Sequence, residues 1–296
     1  MENKLIEARS REKNKAIRLA VGTALFLTLF KLTIGALTRS LGLIASAVDS
    51  LMDVFVSFVN LISLQEAEKP ADAEHLYGHG KIESLAGLFQ SIVIGASGFY
   101  LVFESVKRLV RGTELAHISV GIGVMIVSMV VTFFLVRLLK RVGQKTGSII
   151  VRTETLHFTT DLLTNGGVII ALILVKTTGL SVWDLIVALA IACYILSQSA
   201  RILKTAIDEL LDRALPVGEQ KEVERIIMSF DPKIVGFHNF RTRKIGYQKF
   251  IDFHVEIRGE ENFSRAHQLT EALIRKIKER FSGADVTVHF DPEGGD

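Results

Sequence analysis

The sequence predicts a membrane all-α bundle of six transmembrane helices, followed by a small C-terminal α+β domain. Three observations lead there. Apolar residues make up 49% of the 296 residues although 23% are charged. The two parts of the chain differ: residues 1–212 carry long apolar runs, and residues 213–296 read as a water-soluble domain. Six of the apolar runs reach the length of about 20 residues that a helix needs to cross a bilayer. They lie near 16–37, 41–64, 85–106, 115–138, 149–175 and 180–203.

An even number of spans returns the chain to its starting side. Lys and Arg counts then set the orientation, because they accumulate on the cytoplasmic face. Lys4, Arg9, Arg11, Lys13, Lys15 and Arg18 precede the first span. Lys69 and Lys81 lie between the second and third, and Arg137, Lys140, Arg141, Lys145 and Arg152 between the fourth and fifth. The other side has fewer: Arg39, Lys107, Arg108, Arg111 and Lys176. Both termini are therefore expected in the cytoplasm. No cleaved signal peptide is expected, since no small-residue cleavage pattern follows the first run.

Composition excludes several classes. There is ample apolar material for a core, so the chain is not disordered. Cys193 is the one cysteine, which rules out an intrachain disulfide and a thiolate metal site. The net charge of +3 is too weak to argue for nucleic acid.

Within the second part, residues 217–229 read as a helix and residues 233–243 and 247–258 as two strands around a turn at Gly246. Ile251, Phe253, Val255 and Ile257 alternate with polar residues at the strand period of two. Residues 264–281 form an amphipathic helix pattern and 285–291 a last strand, giving the order α-β-β-α-β.

The polar residues inside the spans carry the chemistry. Ser46, Asp49, Ser50, Asp53, Ser57 and Asn60 fall on one face of the second span. Glu154, His157, Asp161 and Asn165 form a stripe along the fifth. An ionisable side chain at mid-membrane costs at least about 2.5 kcal/mol, so such groups rarely lack a role. Asp49 with Asp53, and His157 with Asp161, each place two ligands one helical turn apart. Facing each other, they supply three carboxylates and one imidazole, a set suited to four-coordinate zinc. Mg²⁺ and Ca²⁺ prefer all-oxygen sites, which the histidine disfavours. Interhelical hydrogen bonding or a proton relay without metal is the competing reading. Mutual repulsion of three carboxylates favours proton uptake by the empty site, and a divalent ion expels those protons. Competition of this kind is the basis of antiport. Lys31, inside the first span, either snorkels to an interface or pairs with an acid.

Two further clusters lie outside the spans. Asp72, His75 and His79 sit in the loop after the second span and can bind zinc at a surface, with a solvated loop as the alternative. The C-terminal part holds His238, His254, His267, His289 and Asp291. His289 and Asp291 are two apart on a strand and share a face. This density of imidazoles favours metal over a basic patch built on Arg241, Arg243 and Lys244.

These residues resemble those of the cation diffusion facilitator family, in its bacterial zinc/iron-efflux branch. The resemblance is carried by AVDSLMD at 47–53, YGHGKIES at 77–84, LHFTTD at 156–161, LLDRALP at 210–216, HNFRTR at 238–243 and HFDP at 289–292. It implies a homodimer in the inner (plasma) membrane, with a cytoplasmic domain of ferredoxin-like fold. It implies that Asp49, Asp53, His157 and Asp161 form the transport site, Asp72, His75 and His79 a loop site, and the C-terminal histidines with Asp291 a zinc cluster that stabilises the dimer. Lys81 and Asp212 resemble the family's interlocking charge pair. Phe290 stands where relatives often carry Gln, and Asn239 where Asp is common.

The combined expectation is a zinc-preferring divalent-cation/proton antiporter that exports metal from the cytoplasm by alternating access. Iron, cadmium or manganese as the physiological ion, and a membrane-anchored metal sensor or scaffold, are the alternatives. An enzyme is not expected: no dedicated general base accompanies the ligands, and four protein ligands leave little room for a catalytic water.

Overall fold

The computed structural model describes residues 2–111, 119–180, 182–258 and 263–294. Residues 115–118 of the fourth predicted span and residue 181 of the sixth lie outside the described residues. Six long helices come first: α1 (Glu2–Thr38), α2 (Leu41–Ala67), α3 (Lys81–Arg111), α4 (Ser119–Thr146), α5 (Ile149–Thr178) and α6 (Val182–Leu210). Then follow α7 (Val217–Phe230), β1 (Ile234–Ile245), β2 (Gln248–Ile257), α8 (Phe263–Arg280) and β3 (Ala284–Pro292). Each of the first six helices contains a stretch long and apolar enough to cross a membrane. The expected fold class holds: six apolar helices and a small α+β domain. Contacts divide the chain into two compact units between residues 207 and 208, residues 2–8 grouping with the second unit.

Local chemistry sets the helix ends. Ser40 caps α2 by accepting from the Leu43 N–H at 3.4 Å, and Ser148 caps α5 by accepting from the Val151 N–H at 3.2 Å. Gly179 ends α5 at φ 72°, a left-handed conformation natural to glycine, with its N–H on the Val175 carbonyl at 2.8 Å.

Among the described residues the helical unit has two apolar cores. One joins Ile17, Ala20 and Ala24 of α1, Leu64 of α2, Leu135 and Leu139 of α4, and Ile150, Val151 and Phe158 of α5. The other joins Ile94 of α3, Ile149 and Leu156 of α5, and Ile195, Ile202 and Ala206 of α6. Helix α5 belongs to both, through different faces. The outer faces are greasy: Phe26, Phe55, Phe89, Phe99, Phe103 and Phe134 are all more than half exposed. Exposure of that extent suits lipid and would be a liability in water.

Small residues let the backbones approach. A Cβ built on Gly87 of α3 would stand 2.1 Å from Ile149 Cγ2, and one on Gly167 of α5 would stand 2.3 Å from Ile191 Cδ1 of α6. The Ser199 hydroxyl of α6 donates to the Ser91 carbonyl of α3, a polar bond sealed inside the unit.

In the second unit the sheet order is β1-β2-β3, antiparallel between β1 and β2 and parallel between β2 and β3. Helix α8 makes the crossover that the parallel pair requires. Ile251, Phe253, Val255 and Ile257 face a core closed by Val223 and Ile227 of α7 and Leu273 and Ile277 of α8. The alternation read from the sequence is the alternation of this buried face. Glu222 ties the two helices at their surfaces: Arg280 Nε lies 3.1 Å and Arg225 Nη2 2.8 Å from its carboxylate. Arg280 first, then Arg225, hold the Glu222 carboxyl below the usual carboxylate range.

Gly87→Val drives a branched side chain into the stiff Ile149, an overpacking change of about 1–3 kcal/mol. The expected outcome is a lower melting temperature of the detergent-solubilised protein, while Gly123→Val, at an open position, leaves it unchanged.

Candidate metal centres

The stripes on α2 and α5 meet. His157 Nε2 lies 3.2 Å from Asp53 Oδ1 and 3.9 Å from Asp161 Oδ2. One ligand atom from each of Asp53, His157 and Asp161 falls within 4.8 Å of the others. Zinc with bonds of about 2.0–2.1 Å sets tetrahedral donors roughly 3.3 Å apart, so the trio is close to a bound geometry. His157 Nε2 is buried and makes no aligned hydrogen bond. Asp49, one turn before Asp53, is exposed and is not part of this trio. The expected quartet is thus three residues together and one apart. Near Asp49, Lys31 Nζ donates to Ser50 Oγ at 2.7 Å. The intramembrane lysine is therefore held across helices by a hydroxyl.

One turn from His157 the same stripes make a second contact. Glu154 is fully buried, and its two carboxylate oxygens accept from Ser57 Oγ and Asn60 Nδ2 of α2. These bonds fix the register of α2 against α5 and so the level at which Asp53 meets His157.

In the loop, His75 Nδ1 and His79 Nε2 each lie 3.4 Å from a different oxygen of Asp72. Asp72, His75 and His79 therefore come together as expected from their spacing. Backbone N–H groups of His75, at 2.7 Å, and Glu74, at 3.0 Å, donate to Asp72 Oδ1. The His75 bond is the main reason that the Asp72 carboxyl stays below the usual carboxylate range. It is a ready anionic ligand. Lys81 opens α3 immediately after this loop.

The third cluster is a row across the sheet. Strand register pairs His238 with His254, and His254 with His289. Asp291 Oδ2 lies 3.0 Å from His254 Nδ1 and 3.4 Å from His238 Nε2, and its Oδ1 lies 3.2 Å from His289 Nε2. The set within 4.8 Å is His238, His254 and Asp291. His267 is apart: it is exposed on α8 and stacks on Phe263. A bulge between His238 and Arg241 re-aims β1. Asn239 takes φ 50° there, a conformation that Asn tolerates better than most residues. Phe290 turns to the other face, against the apolar core and Phe263. Asp212, at φ 53° beyond α6, receives Arg243 Nη1 at 3.2 Å.

Known proteins match both units. The family description "Cation efflux transmembrane domain" matches residues 17–211, and "Cation efflux protein, cytoplasmic domain" matches residues 215–293. The chain belongs to the cation diffusion facilitator family. It is 38% identical over 284 residues to the cation-efflux pump FieF of Salmonella arizonae, covering 94% of this chain and 92% of that one. FieF of Salmonella typhimurium is similar to the same extent: 38% identity, 94% of this chain and 92% of its own. Among solved structures, the metal-bound C-terminal domain of the CzcD transporter from Thermotoga maritima aligns at 26% identity. That alignment covers 27% of this chain and 92% of the other, with a TM-score of 0.26. As a cation-efflux family member with six membrane-length helices, the chain is a multi-pass membrane protein of a transporter family.

Sequence reasoning missed two groups near these clusters. Glu256 Oε1 lies 3.2 Å from His238 Nδ1. The signal was present: His254 and Glu256 are two apart on a strand, as His289 and Asp291 are, and so share a face. In the sequence Lys13 reads as one cytoplasmic charge among several. It is buried, with Nζ 3.1 Å from Glu68 Oε1 and 3.4 Å from Glu83 Oε2. Ser10, at 2.7 Å, and Asn14 also donate to Glu68, so one ionic knot joins the starts of α1 and α3 to the end of α2. No periodicity signals such a knot, because its members come from three helices.

Glu256 holds one nitrogen of His238 and leaves the other facing Asp291, the arrangement by which an outer carboxylate orients a ligand imidazole. Glu256→Gln is expected to weaken zinc retention in the C-terminal unit about tenfold, read by competition with a chromogenic chelator. Glu271→Gln, on the exposed side of α8, serves as the unaffected control.

Proposed function

We propose that the protein is a divalent-cation/proton antiporter with a preference for zinc, exporting metal from the cytoplasm by alternating access as a homodimer. The observation that supports it is the convergence of Asp53, His157 and Asp161 from two membrane helices. A plain anchor or sensor has no use for three ionisable groups at that depth.

Mechanism follows from the donor set. Two carboxylates and an imidazole accept either a divalent ion or protons, and binding one displaces the other. Asp49 completes the set as a fourth ligand in another conformation of α2, one turn along the same helix. Metal then arrives at the tetrahedral site from one side and leaves from the other as protons replace it. The membrane helices that carry the ligands rock against the remainder of the dimer. Imidazole with carboxylates suits zinc better than the harder ions. The loop cluster at Asp72, His75 and His79 would hold zinc at the cytoplasmic surface. The cluster at His238, His254, His289 and Asp291 would hold a structural ion that steadies the dimer. Both termini lie in the cytoplasm, and the bilayer is the bacterial inner membrane.

The test is metal flux into everted vesicles with an imposed pH gradient. Asp53→Asn and Asp49→Ala are both expected to lower zinc flux at least tenfold. Flux that survives Asp49→Ala would leave a three-residue site, and flux indifferent to the gradient would refute antiport. His157→Asp makes the donors all oxygen and is expected to shift the preference from zinc toward manganese, read as the ratio of the two fluxes.

A further inference from the structure

A cavity of about 660 Å³ lies between α4, α5 and α6, at the end of the helical unit where α4 finishes and α5 begins. Lys140 of α4 and Arg152 of α5 line it, with Gln144, Gln198 and Tyr194. Among the described residues no carboxylate lines it. Neither the Lys140 nor the Arg152 side chain makes a hydrogen bond or ion pair with any described residue. Two unneutralised cations, two amides and a phenol around one space are donors for an anion. They repel a metal ion.

The room is built by packing. Gly143 of α4 lets the Arg152 stem cross closely: a Cβ there would lie 3.3 Å from Arg152 Cγ. The cavity is also distinct from the metal centre. Its α5 residues Thr155 and Thr159 are two positions either side of His157, and on a helix they point away from it.

Depth favours a lipid over a free anion. Lys140 lies six residues before the end of α4, about 9 Å at 1.5 Å per residue, and Arg152 lies in the first turn of α5. Both therefore sit at the level of the membrane interface. Val136 and Ile202 form apolar walls on the same cavity. Seven and fourteen positions before Lys140, Phe133 and Ile126 share its face of α4 and are exposed at 44% and 49%, a surface along which acyl chains can lie. Basic pockets between membrane helices on this side are suited to anionic headgroups.

We propose that this cavity binds the phosphate headgroup of an anionic phospholipid from the adjoining leaflet, held by Lys140 and Arg152. The site does not depend on the transport reading, since it uses none of the metal ligands.

The test uses the full chain reconstituted with equal phosphatidylglycerol and phosphatidylcholine. Retained lipid is counted by native mass spectrometry. Phosphatidylglycerol is expected to be retained selectively. Lys140→Gln and Arg152→Gln should each weaken retention about fivefold and the double variant about thirtyfold. Arg141→Gln with Lys145→Gln, which removes equal charge from the same end of α4 outside the cavity, should change it less than twofold. The single variants keep the test decisive if the double variant does not fold. Equal loss in the control pair, or equal retention of the two lipids, would overturn the site. Displacement of phosphatidylglycerol by millimolar inorganic phosphate would overturn the lipid in favour of a free anion.

Discussion

Carboxylates at membrane depth need partners, and the helical unit is organised around supplying them. Water is absent there, and an unpaired charge is costly. Asp53 and Asp161 meet the His157 imidazole. Glu154 is enclosed by a serine and an asparagine. The two arrangements sit one turn apart on the same pair of helices, and they differ in kind. Glu154 has its hydrogen bonds satisfied by neutral donors and can stay where it is. The trio above it holds a buried nitrogen without an aligned bond, which leaves it open to an ion. One part of the stripe thus fixes the helices, and the next part has the donors that an ion needs.

The C-terminal unit solves a related problem by register. A three-stranded sheet brings His238, His254 and His289 into one row because β1 and β2 pair antiparallel and β2 and β3 parallel. Period two sends Phe253, Val255 and Phe290 to the core side and the histidines with Asp291 to the other. The Phe at 290 therefore stabilises the core of the unit without entering the row of histidines.

Much of this was legible in the chain. Long apolar runs, one-turn spacing of Asp and His, and strand alternation are local signals, and they gave the six helices, the α-β-β-α-β order and the meeting of Asp53 with His157 and Asp161. Asp49 and His267 show the limit. Spacing puts a residue on a face, and rotamer and helix position decide whether it arrives, so both stand apart from the clusters that include their neighbours. Lys13 shows another limit. A lysine before a span reads as a surface charge, and only the packing of three helices reveals that it is buried between Glu68 and Glu83. The pairing of Glu256 with His238 needed cross-strand register, although its spacing from His254 was visible.

Helix α5 is shared between two apolar cores, and its contacts with α3 and α6 run over Gly87 and Gly167. If α2 and α5 rock, the seam between α5 and those two neighbours is where sliding occurs. There Ile149 and Ile191 project over bare glycine backbone and meet no opposing side chain, so the seam behaves as a bearing. Turnover speed would then be written into the smoothness of that seam, independently of how tightly the ion is gripped a few ångströms away.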